Sequence, residues 1–251
     1  MNRKFKFKFT FIIIIVLISN FIISKEVFSL QRENEGKIVY LTFDDLSSPS
    51  ITNEILKVLE KNNVKATFFI MGSKVRDNPE VIKKINDNGM SIMPHIYMHD
   101  YNHIYDSCES YLQDLKNCEE SIKSLTGKTN FNFIRMPGGS DNTIAKSDVL
   151  DEFRSEIINK NKYYIDYSVD IGDTQTTENT VDFIESRIRE YGGLYKVEVV
   201  LMHDLQNKLL TIQGLQKTID FYKERGYDFK NLDNIEKWEI DYLKNIKVIN
   251  K

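Results

Sequence analysis

His95 and His99 stand four residues apart in Pro94-His95-Ile96-Tyr97-Met98-His99-Asp100, and an aspartate pair, Asp44-Asp45, closes an apolar run upstream. The chain has 4 histidines in 251 residues, so two at ligand spacing form a concentrated signal. Two imidazoles and a carboxylate can hold a divalent, zinc-like ion while one position stays open for water. A second carboxylate beside the first could act as base for that water. The set points to a metal-dependent hydrolase. Taken singly, each piece has a bland reading. Asp-Asp after a strand is often a solvated turn, and histidines four apart could mark an exposed helical face.

These residues need elements to position them. Beyond residue 35, short β-branched runs alternate with longer amphipathic ones. Strands are expected over Lys37–Phe43, Ala66–Met71, Ser91–His95, Asn132–Met136, Tyr164–Val169 and Lys196–Met202, with a weaker one at Asp228–Leu232. Helical stripes fall at Ile51–Lys61, Pro79–Asn88, Cys108–Leu125, Val181–Tyr191 and Leu209–Arg225. Proline early in the second, and glycine after several of them, mark helix ends. Such alternation means parallel strands joined by crossover helices. The expected fold is α/β, an irregular (β/α) barrel of about seven parallel strands in a single domain, with an open sheet as the alternative. Asp44-Asp45, His95, Arg135, Asp170 with Asp173, and His203 follow five different strands. The carboxyl ends of parallel strands are where such folds build their sites.

The chain is 41% hydrophobic and 28% charged, with net charge -3. That balance suits one globular domain and gives no reason to expect nucleic acid or an anionic membrane surface as partner. At the N-terminus, Arg3, Lys4, Lys6 and Lys8 flank an apolar run from Phe11 to Ile18 that resumes at Phe21–Ile23. Residues 1–29 read as a secretory signal with a site near Val27-Phe28-Ser29, or as an uncleaved membrane anchor. Residues 30–36 form a linker. Both readings place the domain outside the cytoplasm, with membrane contact only through this segment. Cys108 and Cys118 lie on one expected helix, ~15 Å apart. A disulfide tolerates at most ~7 Å, so two unpaired thiols are expected.

Gathered in order, Leu41-Thr42-Phe43-Asp44-Asp45, His95-Ile96-Tyr97-Met98-His99, Arg135-Met136-Pro137-Gly138-Gly139-Ser140, Val169-Asp170-Ile171-Gly172-Asp173 and Leu201-Met202-His203-Asp204 resemble the motifs of the polysaccharide deacetylase (NodB-homology) family of carbohydrate esterases. The resemblance spans Lys37 to about residue 235, with a helical tail at 236–251. It implies a metal-dependent enzyme that removes acetyl groups from an N-acetylated glycan, with peptidoglycan as the expected substrate; a monomer is expected. It assigns Asp45, His95 and His99 as metal ligands. Asp44 is then the catalytic base, Arg135 its orienting partner and His203 the general acid. Asp173 is the aspartate supporting the acid, with Asp170 as contender. The backbone near Gly138 and Gly139 becomes the oxyanion donor. The implied cofactor is a divalent metal: Zn2+, or Co2+, Ni2+ or Fe2+ on the same ligands.

Departures from the family pattern bear on rate and specificity. Leu46 stands where a glycine is usual, adding bulk at the cleft or changing the loop path, and Ile96 where Ser or Thr is usual. Tyr167 and Thr174 replace tryptophans. These changes motivate a rival reading, a glycan-binding protein with weak or no turnover. A zinc peptidase is disfavoured because Ile96, not Glu, follows the first histidine. A non-haem iron oxygenase also uses two histidines and a carboxylate, but strand-end His203 favours the hydrolase. His103 is read as a surface residue and Asp204 as the cap of a turn. Tyr97, Tyr101 and Tyr105 could stack on sugar rings, with packing as the commoner role for such aromatics, and Trp238 and Tyr242 are read as packing on the barrel exterior.

Overall fold

β1 (Lys37–Asp45) is buried along all but its first residue, as a central parallel strand covered on both faces must be. The computed structural model describes residues 36–46, 48–174, 180–204 and 209–251. The N-terminal segment and its expected cleavage site lie outside the described residues. β7 (Val197–His203) pairs with β1 from Ile38↔Val197 to Asp44↔His203. The other edge of β1 is shared. β8 (Tyr227–Lys230) takes Lys37–Tyr40, and β2 (Thr67–Met71) takes Thr42–Asp45. β3 (Ser91–Ile96) lies beyond β2 and β6 (Val169–Asp170) beyond β7. β4 (Phe133–Ile134) and β5 (Tyr163–Tyr164) make a separate parallel pair.

The architecture is α/β with parallel strands, an irregular barrel assembled from these two sheets. The single strand expected over Tyr164–Val169 is instead β5 and β6, one in each sheet. Successive N–H groups in the link find different partners: Ile165 donates to Ile134 O, Asp166 to Val248 O and Ser168 to Val199 O. The chain crosses between sheets there, so no continuous ladder can form.

Helices α1 (Pro49–Asn62), α2 (Gly72–Asp77), α3 (Pro79–Asp87), α4 (Tyr101–Ile104), α5 (Cys108–Thr126), α6 (Ser147–Asn159), α7 (Val181–Tyr191), α8 (Leu209–Glu224) and α9 (Lys237–Asn245), with a 3-10 turn at Leu232–Asn234, complete the described elements. α2, α4 and α6 were not expected, although Leu150, Phe153 and Ile157 give α6 a buried stripe. α5 carries both cysteines, unpaired as expected, and both are buried. Ser107 caps its start by accepting the Ser110 N–H at 3.1 Å. Among the described residues no helix is long and apolar enough to cross a membrane.

Alternation along β1 sorts two environments. Val39, Leu41 and Phe43 join Ile55 and Leu59 of α1 and Leu215 and Ile219 of α8 in one core. Ile38 and Tyr40 face the barrel interior with Phe69, Met93, Phe133 and Val199. Each fully buried apolar side chain contributes ~1.5–3 kcal/mol. Leu243, Trp238 and Tyr242 of α9 pack on this interior cluster, and the Tyr40 hydroxyl donates to Glu239 at 2.7 Å. Trp238 and Tyr242 are therefore not on the exterior face. Their helix closes the lower end of the barrel. Above that apolar floor the interior residues of β1 turn polar, first Thr42 and then Asp44.

Candidate active site

The first strand delivers two adjacent carboxylates to one rim because its backbone turns sharply there. Alternation would send Asp44 inward and Asp45 to the opposite face. Asp45 and Leu46 instead take φ of 83° and 58°, a left-handed turn that aspartate tolerates better than most residues. Asp45 Oδ1 thereby comes within 3.6 Å of His95 Nε2. At the end of β3 the register slips. Pro94 pairs with Ile70 and Ile96 with Met71, leaving His95 as the extra residue, and such bulges re-aim a side chain.

Asp45, His95 and His99 offer ligand atoms all within 4.8 Å of one another. His95 Nδ1 lies 2.7 Å from Arg135 O. A carbonyl only accepts, so Nδ1 carries the proton and Nε2 presents its lone pair toward Asp45. That is the tautomer a metal-ligating histidine needs. Burial lowers the His95 pKa against the opposing pull of Asp44 and Asp45, favouring the neutral ring. Two neutral nitrogens and one carboxylate at this separation fit a tetrahedral divalent ion with bonds of about 2.0–2.2 Å. His99 lies on the loop after β3, outside any helix. Asp114 of α5, itself buried, pins that loop by accepting the Tyr97 N–H at 2.6 Å.

Asp44 is held from within the barrel. The Arg135 side chain is 2% exposed and donates from Nη1 to Asp44 Oδ1 at 3.0 Å and to Thr42 Oγ1 at 2.6 Å. Its other nitrogens donate to Ile165 O and Asp166 O, and its guanidinium lies 4.4 Å from the Phe69 ring centre. One cation thus orients the carboxylate and sutures β4 to the β5–β6 link. His203, the strand partner of Asp44, rests on fully buried Asp173. Asp173 Oδ1 takes the ring Nδ1 at 2.9 Å, and Oδ2 accepts the His203 N–H at 2.8 Å and the Thr211 hydroxyl at 2.9 Å. Burial pulls the imidazole pKa down, but the Asp173 hydrogen bond and charge, with Asp44 and Asp45, lift it to about 9.

All seven of these ligating, basic and acidic positions except Asp173 line one cleft of about 350 Å3, together with Gly138, Gly139, Tyr101, Asp166, Tyr167, Asp170 and Thr174. A larger cleft of about 470 Å3 runs between α5 and α6 past Cys108, and none of the rim residues reaches it.

Several expectations need correction. Asp170 does not contend for the place beside His203. Its carboxylate accepts the Gly172 N–H at 2.7 Å and its carbonyl takes Arg187. The Gly139 N–H closes a turn onto Met136 O at 2.9 Å, so of the two glycines Gly138 is the one suited to face a ligand. Leu46 adds no bulk to the cleft. It is 1% exposed and packs in the core between sheet and helices, so it keeps the glycine-like backbone while its side chain points away. Ile96 is likewise buried, against α5 and α6 residues. Tyr101 lines the cleft edge-on to His99, 4.7 Å between ring centres, and is more than packing. Asp166, Asp114, Thr42 and Thr211 were missed. Asp166 sat unmarked inside an expected strand, and Asp114 on a polar helix face.

Residues 31–152 match a family model described as polysaccharide deacetylase. The chain is 27% identical over 199 residues to the peptidoglycan-N-acetylglucosamine deacetylase of Bacillus cereus, covering 78% of this chain and 69% of that protein. It is 26% identical over 228 residues to the peptidoglycan-N-acetylmuramic acid deacetylase PdaA of Bacillus subtilis, covering 86% and 78%. Among solved structures, the catalytic domain of a peptidoglycan N-acetylglucosamine deacetylase from Eubacterium rectale superimposes with a TM-score of 0.72 at 30% identity, over 79% of this chain and 90% of that one.

Proposed function

This chain belongs to the polysaccharide deacetylase family, and from that premise we propose that its rim cleft hydrolyses the N-acetyl groups of a cell-surface glycan, with peptidoglycan as substrate. The observation that carries the reading is that the ligand trio, the Arg135-held Asp44 and the Asp173-held His203 open on one cleft. Zinc is the ion this donor set favours, and cobalt, nickel or iron would accept the same ligands. When bound by Asp45, His95 and His99, the cation supplies a Lewis acid that polarises the amide carbonyl and acidifies water.

The residues of this chain supply the proton traffic around it. Asp44 accepts the proton of the attacking water, with one carboxylate oxygen fixed by Arg135 and the other left for the transfer. The Gly138 N–H serves the oxyanion of the tetrahedral intermediate, a preorganised donor that needs no reorganisation as charge develops. An amine leaves poorly unless protonated. His203, its Nδ1 committed to Asp173, has Nε2 to deliver that proton. Base and acid sit on paired strands, ~4.8 Å apart in backbone, close enough to serve opposite sides of one scissile bond. The basic flank and apolar run before residue 30 support an extracytoplasmic location, where that glycan lies, with the enzyme monomeric and released or held by that segment.

The test is acetate release from peptidoglycan and from N-acetylglucosamine oligomers by zinc-loaded protein, before and after chelation. Release that stops on chelation and returns with metal is the expected result. Absence of acetate from every N- or O-acetylated glycan, with the ion bound, would refute the reading.

A further inference from the structure

Asp166 is a cleft-lining carboxylate that this chemistry leaves unused, yet it is 7% exposed. Its Oδ1 accepts the Ser140 N–H at 3.0 Å and its Oδ2 the Ser140 hydroxyl at 2.6 Å. Ser140 directly follows Gly138 and Gly139, whose φ of 76° and 90° glycine adopts without penalty but also leaves readily. A two-glycine turn needs an external clamp to hold one N–H in place. Arg154 Nη1 donates to Ser140 O at 2.8 Å and Asn142 Nδ2 to Gly139 O at 2.9 Å, so the clamp is shared.

The Asp166 backbone is itself fixed from two sides. Its N–H donates to Val248 O at 2.8 Å, and its carbonyl accepts Arg135 Nη2 at 3.1 Å. Tyr164, two residues earlier, is tied to Asn250 by Asn250 N–H to Tyr164 O at 3.0 Å and Tyr164 N–H to Asn250 Oδ1 at 3.1 Å. The guanidinium that orients Asp44 therefore also anchors the residue that clamps the glycine turn.

We infer that Asp166 is a positioning residue, holding the Gly138 turn through Ser140 in fixed relation to Asp44 and Arg135. This inference rests on the deacetylase reading. Asp166→Ala removes both acceptors. Asp166→Asn can keep Oδ1 for the Ser140 N–H and donate from Nδ2 to the Ser140 hydroxyl. Ser140→Ala loses only the second bond.

The assay is initial-rate acetate release from an N-acetylglucosamine tetramer by full-length, zinc-loaded protein, with zinc affinity measured separately by competition with a chromophoric chelator. Losing an oxyanion donor outright costs about 10²–10³ in kcat. Loosening its support should cost less, about 10–100-fold in Asp166→Ala, with KM and zinc affinity held within about twofold. Asp166→Asn should stay within about threefold of wild type, and Ser140→Ala should lose about 3–10-fold. The inference is overturned by an unchanged kcat in Asp166→Ala, by Asp166→Asn as impaired as the alanine variant, or by zinc affinity falling in parallel with rate. If Asp166→Ala fails to fold, Ser140→Ala at the wild-type rate overturns it instead. Zinc-loaded wild type that releases no acetate from the tetramer, from peptidoglycan or from any other N- or O-acetylated glycan overturns both readings, whereas active wild type with an indifferent Asp166 overturns this one alone.

Discussion

Replacing Asp173 with Asn should move the basic limb of the pH–rate profile down by two units or more. His203 titrates at about 9 because the Asp173 hydrogen bond and charge, with Asp44 and Asp45, outweigh burial. Relative to the ordinary 6.5, that is about 2.5 units, or ~3 kcal/mol favouring the charged ring at 1.36 kcal/mol per unit. The folded pKa is raised, so this share of stability is fully present below about 6.5 and is lost as pH rises through about 9. The acid function follows the folded pKa alone, so the ring stays protonated through neutral pH and loses its proton as pH passes about 9. In the Asn variant the His203 N–H still needs an oxygen, so the amide oxygen stays with the backbone and the NH2 turns to the imidazole. It then meets Nδ1 as a donor, which forces the proton to Nε2 and removes the acceptor of the charged ring. Burial, largely unopposed, brings the pKa to 6.5 or below. At pH 8 the protonated fraction drops from ~90% to ~3%, a loss of about 30-fold from protonation alone. A cation on Asp45 mutes that carboxylate, so the wild-type limb lies at or below 9. Profiles of kcat/KM between pH 5 and 10 for both proteins decide the matter. A uniform loss of rate with an unmoved limb would show that Asp173 sets geometry and not charge.

His99→Ala should reduce zinc affinity by about 100-fold or more, beyond the 10–100-fold expected for an outer-shell partner, in a chelator competition. Retained affinity would remove His99 from the ligand set. Leu46→Gly relieves about 1 kcal/mol of left-handed strain but empties a buried leucine site costing ~2–5 kcal/mol. The expected result is a lower Tm with kcat within about threefold. A tenfold gain in rate would mean that the Leu46 side chain does obstruct the cleft. Both cysteines should react with a thiol reagent only on unfolding, because both are buried and free. A mass two hydrogens short would contradict that.

How far the site was legible follows from the kind of information each residue carries. Asp44, Asp45, His95, Arg135 and His203 were found because each ends an apolar run, and in folds of parallel strands the carboxyl ends are where the site is built. The family resemblance put Asp173 ahead of Asp170, but only the folded structure showed which of them meets His203. Both follow the same strand, and the choice depends on which carboxylate meets the His203 ring and its N–H. Asp166 carried no signal, since its partners Ser140, Arg135 and Val248 are 26, 31 and 82 positions away.

The sequence by itself determined the parallel α/β alternation, the chemistry-bearing residue types and the rim on which they gather. Those are consequences of local periodicity and of residue chemistry, which neighbours in sequence can encode. Tertiary structure alone decided that β5 and β6 belong to different sheets and that α9 closes the barrel floor. It also decided that Leu46 faces the core, and that Arg135 is shared between Asp44 and the Asp166 backbone. Each of those depends on which distant backbone or side chain satisfies a buried polar or apolar group, and that partner exists only once the chain has closed on itself.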